Sequence, residues 1–253
     1  YDGIGYIDRY FPNASYFKET ERFDRHLDRL VRKGKKVDYV VICSPNYLHD
    51  SHISLGLRYS NNIICEKPIV LKHEHLESLR ALEVNNKKIY TILQLRLHPS
   101  IIRLKKIYKD KFANVKLDYI TPRGLWYKYS WKGDIEKSGG VASNIGVHFF
   151  DMLLDIFGCC NAYEVVNSPT DSKGKLLLDR ANVKFNLSID KHDLPWDDWK
   201  PYRKITIDGA EVEFSEGFTE LHKLSYEKII QGKGFRLDDV ENTIRLIEDI
   251  RCE

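Results

Sequence analysis

Three short apolar segments constrain the fold of this chain more than any other feature. They cover residues 36–44, 62–66 and 88–95, and each is rich in β-branched residues. A nearly continuous apolar run of this length is typical of a strand that is buried on both faces of a sheet. A polar or proline break follows each run, and segments with apolar residues at helical spacing lie between them. This alternation predicts βαβ units and therefore a parallel sheet.

The second half of the chain has a different pattern. Beyond residue 112, apolar and polar residues alternate as in antiparallel strands, and Asp208-Gly209 is a strong signal for a two-residue hairpin turn. We therefore expect an α/β unit over residues 1–111 and an α+β unit with a mostly antiparallel sheet over residues 112–253. The strands predicted in the second unit are 115–123, 125–131, 162–166, 175–178, 181–189, 203–208 and 211–215. The helices predicted in the whole chain are 47–59, 73–86, one that begins at His98-Pro99, 147–156, 220–231 and 237–251.

Charge and cysteine usage exclude several classes of protein. The 40 basic and 37 acidic residues leave a formal charge of only +3, whereas a dedicated nucleic-acid binder concentrates basic charge on one face. No apolar run approaches the ~18 residues of a membrane-spanning helix. The five cysteines form no Cys-x-x-Cys pair, and Cys43 and Cys65 lie within apolar runs, which favours a reducing compartment. We expect a cytoplasmic protein that binds neither nucleic acid nor membranes.

Polar residues follow each of the three apolar segments. They are Ser44-Pro45-Asn46, Glu66-Lys67-Pro68 and residues 94–98. In a parallel α/β sheet the carboxyl ends of the strands share one edge, and ligands bind outside that edge. A lysine beside an apolar cleft, as Lys67 would be, has a lowered pKa and can take part in proton transfer. The alternative is a solvated surface lysine at a strand end.

The segment from Gly139 to Asp151 is the richest in chemically useful residues. Its paired glycines allow the backbone to lie close to a ligand or to another strand. If the chain is helical from residue 147 onward, Asn144 and His148 share a face, and Asp151 at i+3 can orient the His148 ring. Histidine is the natural general base near neutral pH. The alternative is a helix-capping asparagine beside a buried histidine with satisfied hydrogen bonds.

Aromatic and cationic residues are mixed over residues 123–134. This combination suits an anionic or ring-bearing ligand, although an amphipathic strand pair with aromatics facing the core has the same composition. A metal-dependent hydrolase built on His98, His148 and Asp151 is a further alternative. Against the hydrolase, the sequence contains no His-x-x-x-His spacing.

Taken in order, these motifs resemble the Gfo/Idh/MocA family of nicotinamide-dependent sugar dehydrogenases. A Ser-Pro-Asn strand end is followed by Glu-Lys-Pro, Trp-x-Gly-Asp and Gly-Gly-x-x-x-Asn-x-Gly-x-His-x-x-Asp. Within the family, the chain is most similar to the WlbA/WbpB-type UDP-N-acetyl-2-amino-2-deoxyglucuronate dehydrogenases. The resemblance covers nearly the whole chain and is carried by SPNYLHDSHI, ICEKPIVL, ILQLRLHPSI, YITPRGLWY, SWKGDIEKSGGVASNIGVHFFDML and ITIDGAEVEFSEGFTELH.

The resemblance implies that the parallel sheet of the first domain is of the Rossmann type. Family members begin with a strand, a glycine-rich turn and a second strand that ends in an acidic residue, and we expect Tyr1 to fall just after that second strand. No Gly-x-Gly-x-x-Gly fingerprint occurs in the sequence. The acidic position normally distinguishes NAD from NADP, and we expect it to precede Tyr1. The choice of NAD therefore comes from the resemblance to the subfamily alone, and NADP stays open.

The resemblance also assigns roles to individual residues. Lys67 and His148 match the catalytic pair of the family. Asn144 stands where many relatives carry Asp, and the narrower subfamily is similar in having Asn, so we interpret it as a specificity feature. The residues expected to line the cofactor are Ser44, Pro45, Asn46, His49, Glu66, Lys67, Gln94, Arg96 and Trp131. The residues expected to bind substrate are Lys67, Arg123, Tyr127, Asn144 and His148.

The implied reaction is oxidation of the C3 hydroxyl of UDP-N-acetylglucosaminuronic acid (UDP-GlcNAcA) by NAD, in the biosynthesis of bacterial surface polysaccharide such as lipopolysaccharide. His148 would remove the hydroxyl proton while Lys67 hydrogen-bonds the oxygen, or the two roles are exchanged. Arg123 and Tyr127 would hold the carboxylate or the diphosphate. The alternatives are another sugar or inositol dehydrogenase of the family, or a sugar- or cofactor-binding module without catalysis. A homodimer or homotetramer is expected through the sheet of the second domain.

Overall fold

Parallel strands form the first sheet of the computed structural model, which describes residues 9–212 and 220–252. β1 (Val40–Ile42), β2 (Asn62–Cys65) and β3 (Lys88–Thr91) pair in that order. The neighbouring residues Ile63 and Ile64 point to opposite faces and are both buried, which confirms a strand covered on both sides. The helices of this half are α1 (Thr20–Arg32), α2 (His49–Gly56), α3 (His73–Arg80) and α4 (Pro99–Ile107).

Six strands form the second sheet, in the order β5-β6-β7-β4-β8-β9. β4 pairs with β7 in parallel, and the other pairings in this sheet are antiparallel. At the β8–β9 hairpin, Asp208 and Gly209 have φ angles of 51° and 81°, the left-handed conformation that this turn requires, so the predicted hairpin is confirmed. The strands are β4 (Ala113–Ile120), β5 (Cys160–Asn167), β6 (Asp171–Leu178), β7 (Ala181–Ser188), β8 (Tyr202–Ile207) and β9 (Ala210–Glu211).

Helix α8 covers the inner face of the second sheet. Its Phe150 ring packs edge-to-face on Phe185, with the ring centroids 5.1 Å apart. Gly146 begins the helix at a point of close approach, since a Cβ there would lie 2.6 Å from the Phe150 ring and 3.0 Å from Leu187. The helices of this half are α5 (Leu125–Tyr129), α6 (Ile135–Ser138), α7 (Gly140–Asn144), α8 (Gly146–Phe157), α9 (Leu221–Ile230) and α10 (Leu237–Cys252).

Within the part of the chain that the structure describes, no single helix is long and apolar enough to cross a membrane. The bent pair formed by residues 135–144 and α8 reaches that length and composition only when its two members are taken together. Phe150 and Phe157, two of the three phenylalanines of α8, are fully buried inside the protein.

Helix α10 belongs to both hydrophobic cores. Its amino-terminal half packs into the core of the first sheet through Leu237, Val240 and Ile244. Its carboxyl-terminal half packs into the core of the second sheet through Leu246, Ile247 and Ile250. The two halves of the fold are thus joined by a shared helix, although α10 lies entirely in the second unit of the predicted division.

One predicted strand is wrong. Residues 125–131 form α5 and the start of a 3-10 helix, Trp131–Gly133, instead of an extended strand. The prediction took the mixed aromatic and polar residues as a strand pattern. In the structure only Tyr127 is buried, whereas Leu125 and Tyr129 are 69% and 87% exposed, so these side chains fill no sheet face.

Several boundaries also differ from those predicted. The first and third strands are shorter than expected, and the segment after β3 turns into a 3-10 helix at Gln94–Leu97. The helix expected over residues 73–86 ends at Arg80, and Asn85 and Asn86 both have positive φ. Of the strand predicted over residues 211–215, residues 213–215 lie outside the described residues.

Candidate active site

A cavity of about 610 Å³ lies where the carboxyl edge of the first sheet meets the second half of the fold. Its walls come from the segments after β2 and β3, from α8, and from the ends of β4 and β8. A cavity of about 720 Å³ beside α1 contains none of the predicted site residues. The predicted residues that line the first cavity are Lys67, Gln94, Arg123, Asn144 and His148.

Lys67 enters this cavity directly after β2. Its Nζ donates a hydrogen bond of 2.9 Å to the backbone carbonyl of Asn144. Burial, together with the positive charge of Lys132, lowers the pKa of Lys67 to about 8, although Glu66 acts in the opposite direction. The amine therefore gains and loses its proton close to neutral pH, as a group engaged in proton transfer needs to do.

His148 faces the same cavity from the first turn of α8. Burial, and secondarily the charge of Lys67, hold the pKa of the His148 ring well below its ordinary value of 6.5. The ring is therefore neutral at pH 7 and able to accept a proton. Among the residues that the structure describes, none forms a hydrogen bond with this ring. Lys67 and His148, which come from the two halves of the chain, thus share one cavity.

Asn144 connects the cavity to a buried tyrosine. Its Nδ2 donates a hydrogen bond of 2.9 Å to the hydroxyl oxygen of Tyr127, and its backbone carbonyl holds Lys67. Tyr127 is 4% exposed, and burial raises the pKa of its hydroxyl while nearby Arg123 lowers it. The predicted substrate-binding residues Arg123, Tyr127 and Asn144 therefore form one connected group beside Lys67.

Asp151 does not orient His148, and this part of the prediction is wrong. Its carboxylate accepts hydrogen bonds from Arg96 at 2.7 and 2.9 Å and from the Thr243 hydroxyl at 3.0 Å. The Arg96 guanidinium also lies 3.3 Å from the carboxylate of Asp155 and is only 11% exposed. Arg96 is therefore held in a buried ion-pair network, and its place near the cofactor stays a prediction.

The residues of the metal-hydrolase alternative do not come together. His98 is buried, and its Nδ1 accepts a hydrogen bond from the Ser100 amide at the start of α4. Asp151 is occupied by Arg96. Over residues 9–212 and 220–252, the one group of three side chains within metal-binding distance is His73, Glu77 and Glu241, away from the cavity. Arg80 already forms ion pairs with both of these glutamates.

The side chains of His49 and Asn46 are buried, and both contact backbone carbonyl groups. His49 is fully buried, with Nε2 2.8 Å from the carbonyl oxygen of Ser44 and Nδ1 2.7 Å from that of Pro68. It thus ties together the turns that follow β1 and β2. Asn46 is also buried and donates to the backbone carbonyl of Ser138 at 2.9 Å. That these two side chains line the cofactor stays a prediction.

The remaining predicted cofactor residues are accessible. Ser44, Pro45, Glu66 and Trp131 are all partly exposed. The Glu66 carboxylate lies 2.9 Å from Nε2 of His222, which α9 contributes. Trp131 stands in the 3-10 helix after α5. The Lys132 ammonium lies 5.7 Å from the centre of the Trp131 ring.

Sequence reasoning missed several residues of the cavity wall. Tyr119, Phe149 and Arg203 all line it. Tyr119 and Arg203 are directly opposite each other on the paired strands β4 and β8. The alternation within each strand was visible in the sequence, but the pairing of two strands more than 80 residues apart was not.

Two family models match the chain. Residues 5–94 match the Gfo/Idh/MocA model described as an oxidoreductase family with an NAD-binding Rossmann fold. Residues 111–186 match the C-terminal alpha/beta domain of the same oxidoreductase family. The parallel sheet lies in the first matched region, and β4, β5, β6 and most of β7 of the mostly antiparallel sheet lie in the second, which confirms the predicted fold class.

Similar proteins include sugar and inositol dehydrogenases. The structure of the WlbA (WbpB) dehydrogenase from Thermus thermophilus, in complex with NAD and UDP-GlcNAcA, is 42% identical with a TM-score of 0.92, and the match covers 99% of this chain and 84% of that one. Inositol 2-dehydrogenase from Rhizobium meliloti is 29% identical over 133 residues, which are 51% of this chain and 39% of that protein. The chain matches about half the length, or less, of the first curated relatives.

Proposed function

Because the chain belongs to the Gfo/Idh/MocA oxidoreductase family, we propose that the protein is an NAD-dependent dehydrogenase that oxidises the C3 hydroxyl of UDP-GlcNAcA to a ketone. The observation that carries this proposal is the shared cavity of Lys67 and His148, in which both groups have lowered pKa values. The 42% identity to the Thermus thermophilus dehydrogenase, whose structure contains NAD and UDP-GlcNAcA, supports the choice of cofactor and sugar.

The residues at the carboxyl edge of the first sheet fit the nicotinamide end of a dinucleotide. Glu66 offers a partly exposed carboxylate that can accept hydrogen bonds from ribose hydroxyls. Lys67 follows it and faces the cavity. Ser44 and Pro45 are accessible at the end of the neighbouring strand, where ligands of parallel α/β sheets bind. When bound, NAD supplies the hydride acceptor for the reaction.

The chain itself supplies the proton transfer. Oxidation of the hydroxyl breaks the O–H bond and the C3–H bond, and the C3–H bond breaks with its electron pair. The neutral His148 ring accepts the hydroxyl proton, since its lowered pKa keeps it unprotonated at pH 7. Lys67, still largely protonated at that pH, donates a hydrogen bond to the oxygen on which negative charge develops.

The other residues of the cavity suit an anionic sugar nucleotide. Arg123 supplies positive charge, and the Asn144–Tyr127 pair supplies a fixed hydrogen-bonding surface next to Lys67. A uronic acid linked to a nucleoside diphosphate carries negative charge at both ends of its sugar ring. Positive side chains around the ring are therefore expected to stabilise its binding.

We propose that the protein is a cytoplasmic enzyme in the biosynthesis of surface polysaccharide. The domain division near residue 111 and assembly through the second sheet are further parts of this proposal. The outer face of that sheet exposes Val166 and Leu177, which are 73% and 42% exposed. Apolar side chains on an open sheet face favour pairing with a second copy.

The proposal is tested by mixing the full-length protein with NAD and a panel of sugars and measuring absorbance at the band of reduced nicotinamide. The panel contains UDP-GlcNAcA, UDP-N-acetylglucosamine, glucose 6-phosphate and myo-inositol. We expect reduction of NAD with UDP-GlcNAcA at the highest kcat/KM. Replacing NAD with NADP in the same assay determines the cofactor.

Each other outcome has a distinct meaning. Preference for inositol or a free sugar phosphate would refute the proposed substrate, whereas the proposed dehydrogenase activity would stand. Binding of UDP-GlcNAcA without any reduction of NAD would favour a non-catalytic binding module. Hydrolysis that depends on added zinc would refute the dehydrogenase altogether.

A further inference from the structure

We propose that Arg203 recognises the carboxylate of the substrate and so selects a uronic acid over the corresponding neutral sugar. This inference rests on the proposed function, because it names the residue that reads one group of the proposed substrate. Arg203 lines the cavity but belongs to none of the motifs that point to the family.

Strand register directs Arg203 toward the cavity. In the β4–β8 pairing, Tyr119 lies opposite Arg203 and Leu117 lies opposite Ile205. Leu117 and Ile205 are 1% and 6% exposed and belong to the core beneath α8. Side chains two residues apart share a face of a strand. Tyr119 and Arg203 therefore lie on the helix-covered face, at the end where the core gives way to the cavity.

The Arg203 guanidinium lies beside aromatic rings of the cavity wall. Its Cζ lies 5.2 Å from the centre of the Tyr119 ring. The Tyr119 ring in turn lies 4.6 Å from that of Phe149, the residue after His148. A guanidinium stacked on an aromatic face keeps its N–H groups free in the ring plane for a carboxylate.

No carboxylate among the residues 9–212 and 220–252 pairs with Arg203. The neighbouring Lys204 differs, since its Nζ lies 3.0 Å from the Glu211 carboxylate and its charge is neutralised there. Arg203 is thus a positioned cation at a cavity wall without a described counter-ion. An anionic group of the substrate would serve as the counter-ion of Arg203, and a carboxylate would bind it most strongly because it can accept two parallel hydrogen bonds.

A second arginine, Arg123, lines the same cavity. Arg123 also has no ion pair within the described part of the chain, and it approaches Lys67 through Tyr127 and Asn144. In the pyranose ring of a UDP-linked uronic acid, C1 and C5 are each separated from C3 by one ring atom. The diphosphate on C1 and the carboxylate on C5 therefore leave on the two sides of C3, and two separate cations of the cavity wall can bind them.

The surroundings of the two arginines decide which group each one binds. Arg123 begins the segment that contains Trp126, 54% exposed, with Lys132 beside its ring. Exposed aromatic and cationic side chains suit a nucleotide base and its diphosphate. Arg203 instead lies over the Tyr119 ring, next to Phe149, and we assign it the carboxylate. The Thermus thermophilus dehydrogenase has been solved with α-ketoglutarate and with UDP-GlcNAcA, and both of these ligands carry a carboxylate.

The test compares Arg203→Met with Arg123→Met in the full-length protein with NAD. For each variant, kcat/KM and Kd are measured with UDP-GlcNAcA and with UDP-N-acetylglucosamine, which differ at C6 alone. We expect Arg203→Met to lower the preference for UDP-GlcNAcA, expressed as the ratio of its kcat/KM to that of UDP-N-acetylglucosamine, by about 10- to 100-fold. Loss of a charge-assisted pair has an effect of this size. Arg123→Met is expected to weaken the binding of both sugar nucleotides by the same factor, because both carry the diphosphate.

Arg103→Met on α4 makes the same charge change outside the cavity and is expected to leave the ratio unchanged. Arg203→Lys, which keeps the charge but loses the two parallel donors, is expected to fall between wild type and Arg203→Met. An unchanged ratio in Arg203→Met, or an equal loss with both sugars, would overturn the assignment. The wild-type protein distinguishes the two levels of the argument, since failure to reduce NAD with UDP-GlcNAcA refutes the proposed function itself.

Discussion

Replacing His148 with asparagine is expected to remove the base while leaving the fold and the binding of substrate largely intact. His148 forms no hydrogen bond with another described residue, so its replacement by the smaller asparagine breaks no described hydrogen bond of the fold. A positioned general base contributes about 10²- to 10⁴-fold in rate. This corresponds to about 3–5 kcal/mol of transition-state stabilisation. The loss should fall on kcat, with KM for UDP-GlcNAcA changing by only a small factor.

The pH dependence of kcat/KM separates this role from a merely structural one. His148 must be unprotonated to accept a proton, so wild-type activity should be lost on the acidic side of a pKa that lies well below 6.5. Lys67 must be protonated to donate to the oxygen, so activity should also be lost as the pH rises through about 8. The wild-type profile is therefore bell-shaped.

The assay is steady-state reduction of NAD by His148→Asn, with wild type as the reference and with circular dichroism and NADH binding as controls for folding. The variant should lose the acidic limb and keep the alkaline limb. Turnover near that of wild type would refute the reasoning. Persistence of the acidic limb in the variant would assign that ionisation to a different group.

Three further changes test the parts of the structure that support the site. Arg96→Met leaves the Asp151 carboxylate buried without its partner and should lower the free energy of unfolding by about 3–5 kcal/mol, measured by urea denaturation. Gly146→Ala places a Cβ within 2.6 Å of the Phe150 ring and should cost about 1–3 kcal/mol by overpacking, measured in the same way. Tyr127→Phe removes the oxygen that accepts the Asn144 amide, and we expect a lower kcat with a thermal midpoint within a few degrees of wild type, measured by turnover and calorimetry.

Much of the fold could be predicted because it follows from local patterns. Two of the three apolar runs, β2 and β3, are strands buried on both faces, as continuous apolarity indicates, whereas Val41 in β1 is 47% exposed. The strand predicted over residues 125–131 was wrong because a short run of aromatic and polar residues fits either a strand or an exposed helical turn. Packing decided between them, and in the structure Trp126 is 54% exposed where a strand would have buried it.

The site shows where sequence spacing stops being informative. The i+3 spacing correctly placed Asp151 near His148 along the helix, but its partner is Arg96, 55 residues earlier in the chain. The Ser-Pro-Asn motif correctly marked a turn at the sheet edge, yet His49 serves that turn from inside the protein. Motifs therefore identified the segments that form the site, whereas tertiary contacts decided which side chains face the cavity.

The catalytic pair depends on the docking of the two halves, because Lys67 comes from the first and His148 from the second. Their relative position is held by the Lys67–Asn144 hydrogen bond, by the Arg96–Asp151 pair and by α10, which packs into both cores. A change that loosens this contact without unfolding either half should separate the pair before it melts the protein. Arg96→Met should therefore lower kcat at temperatures where its circular dichroism is still native, and equal retention of activity and structure would show that the pair is positioned in another way.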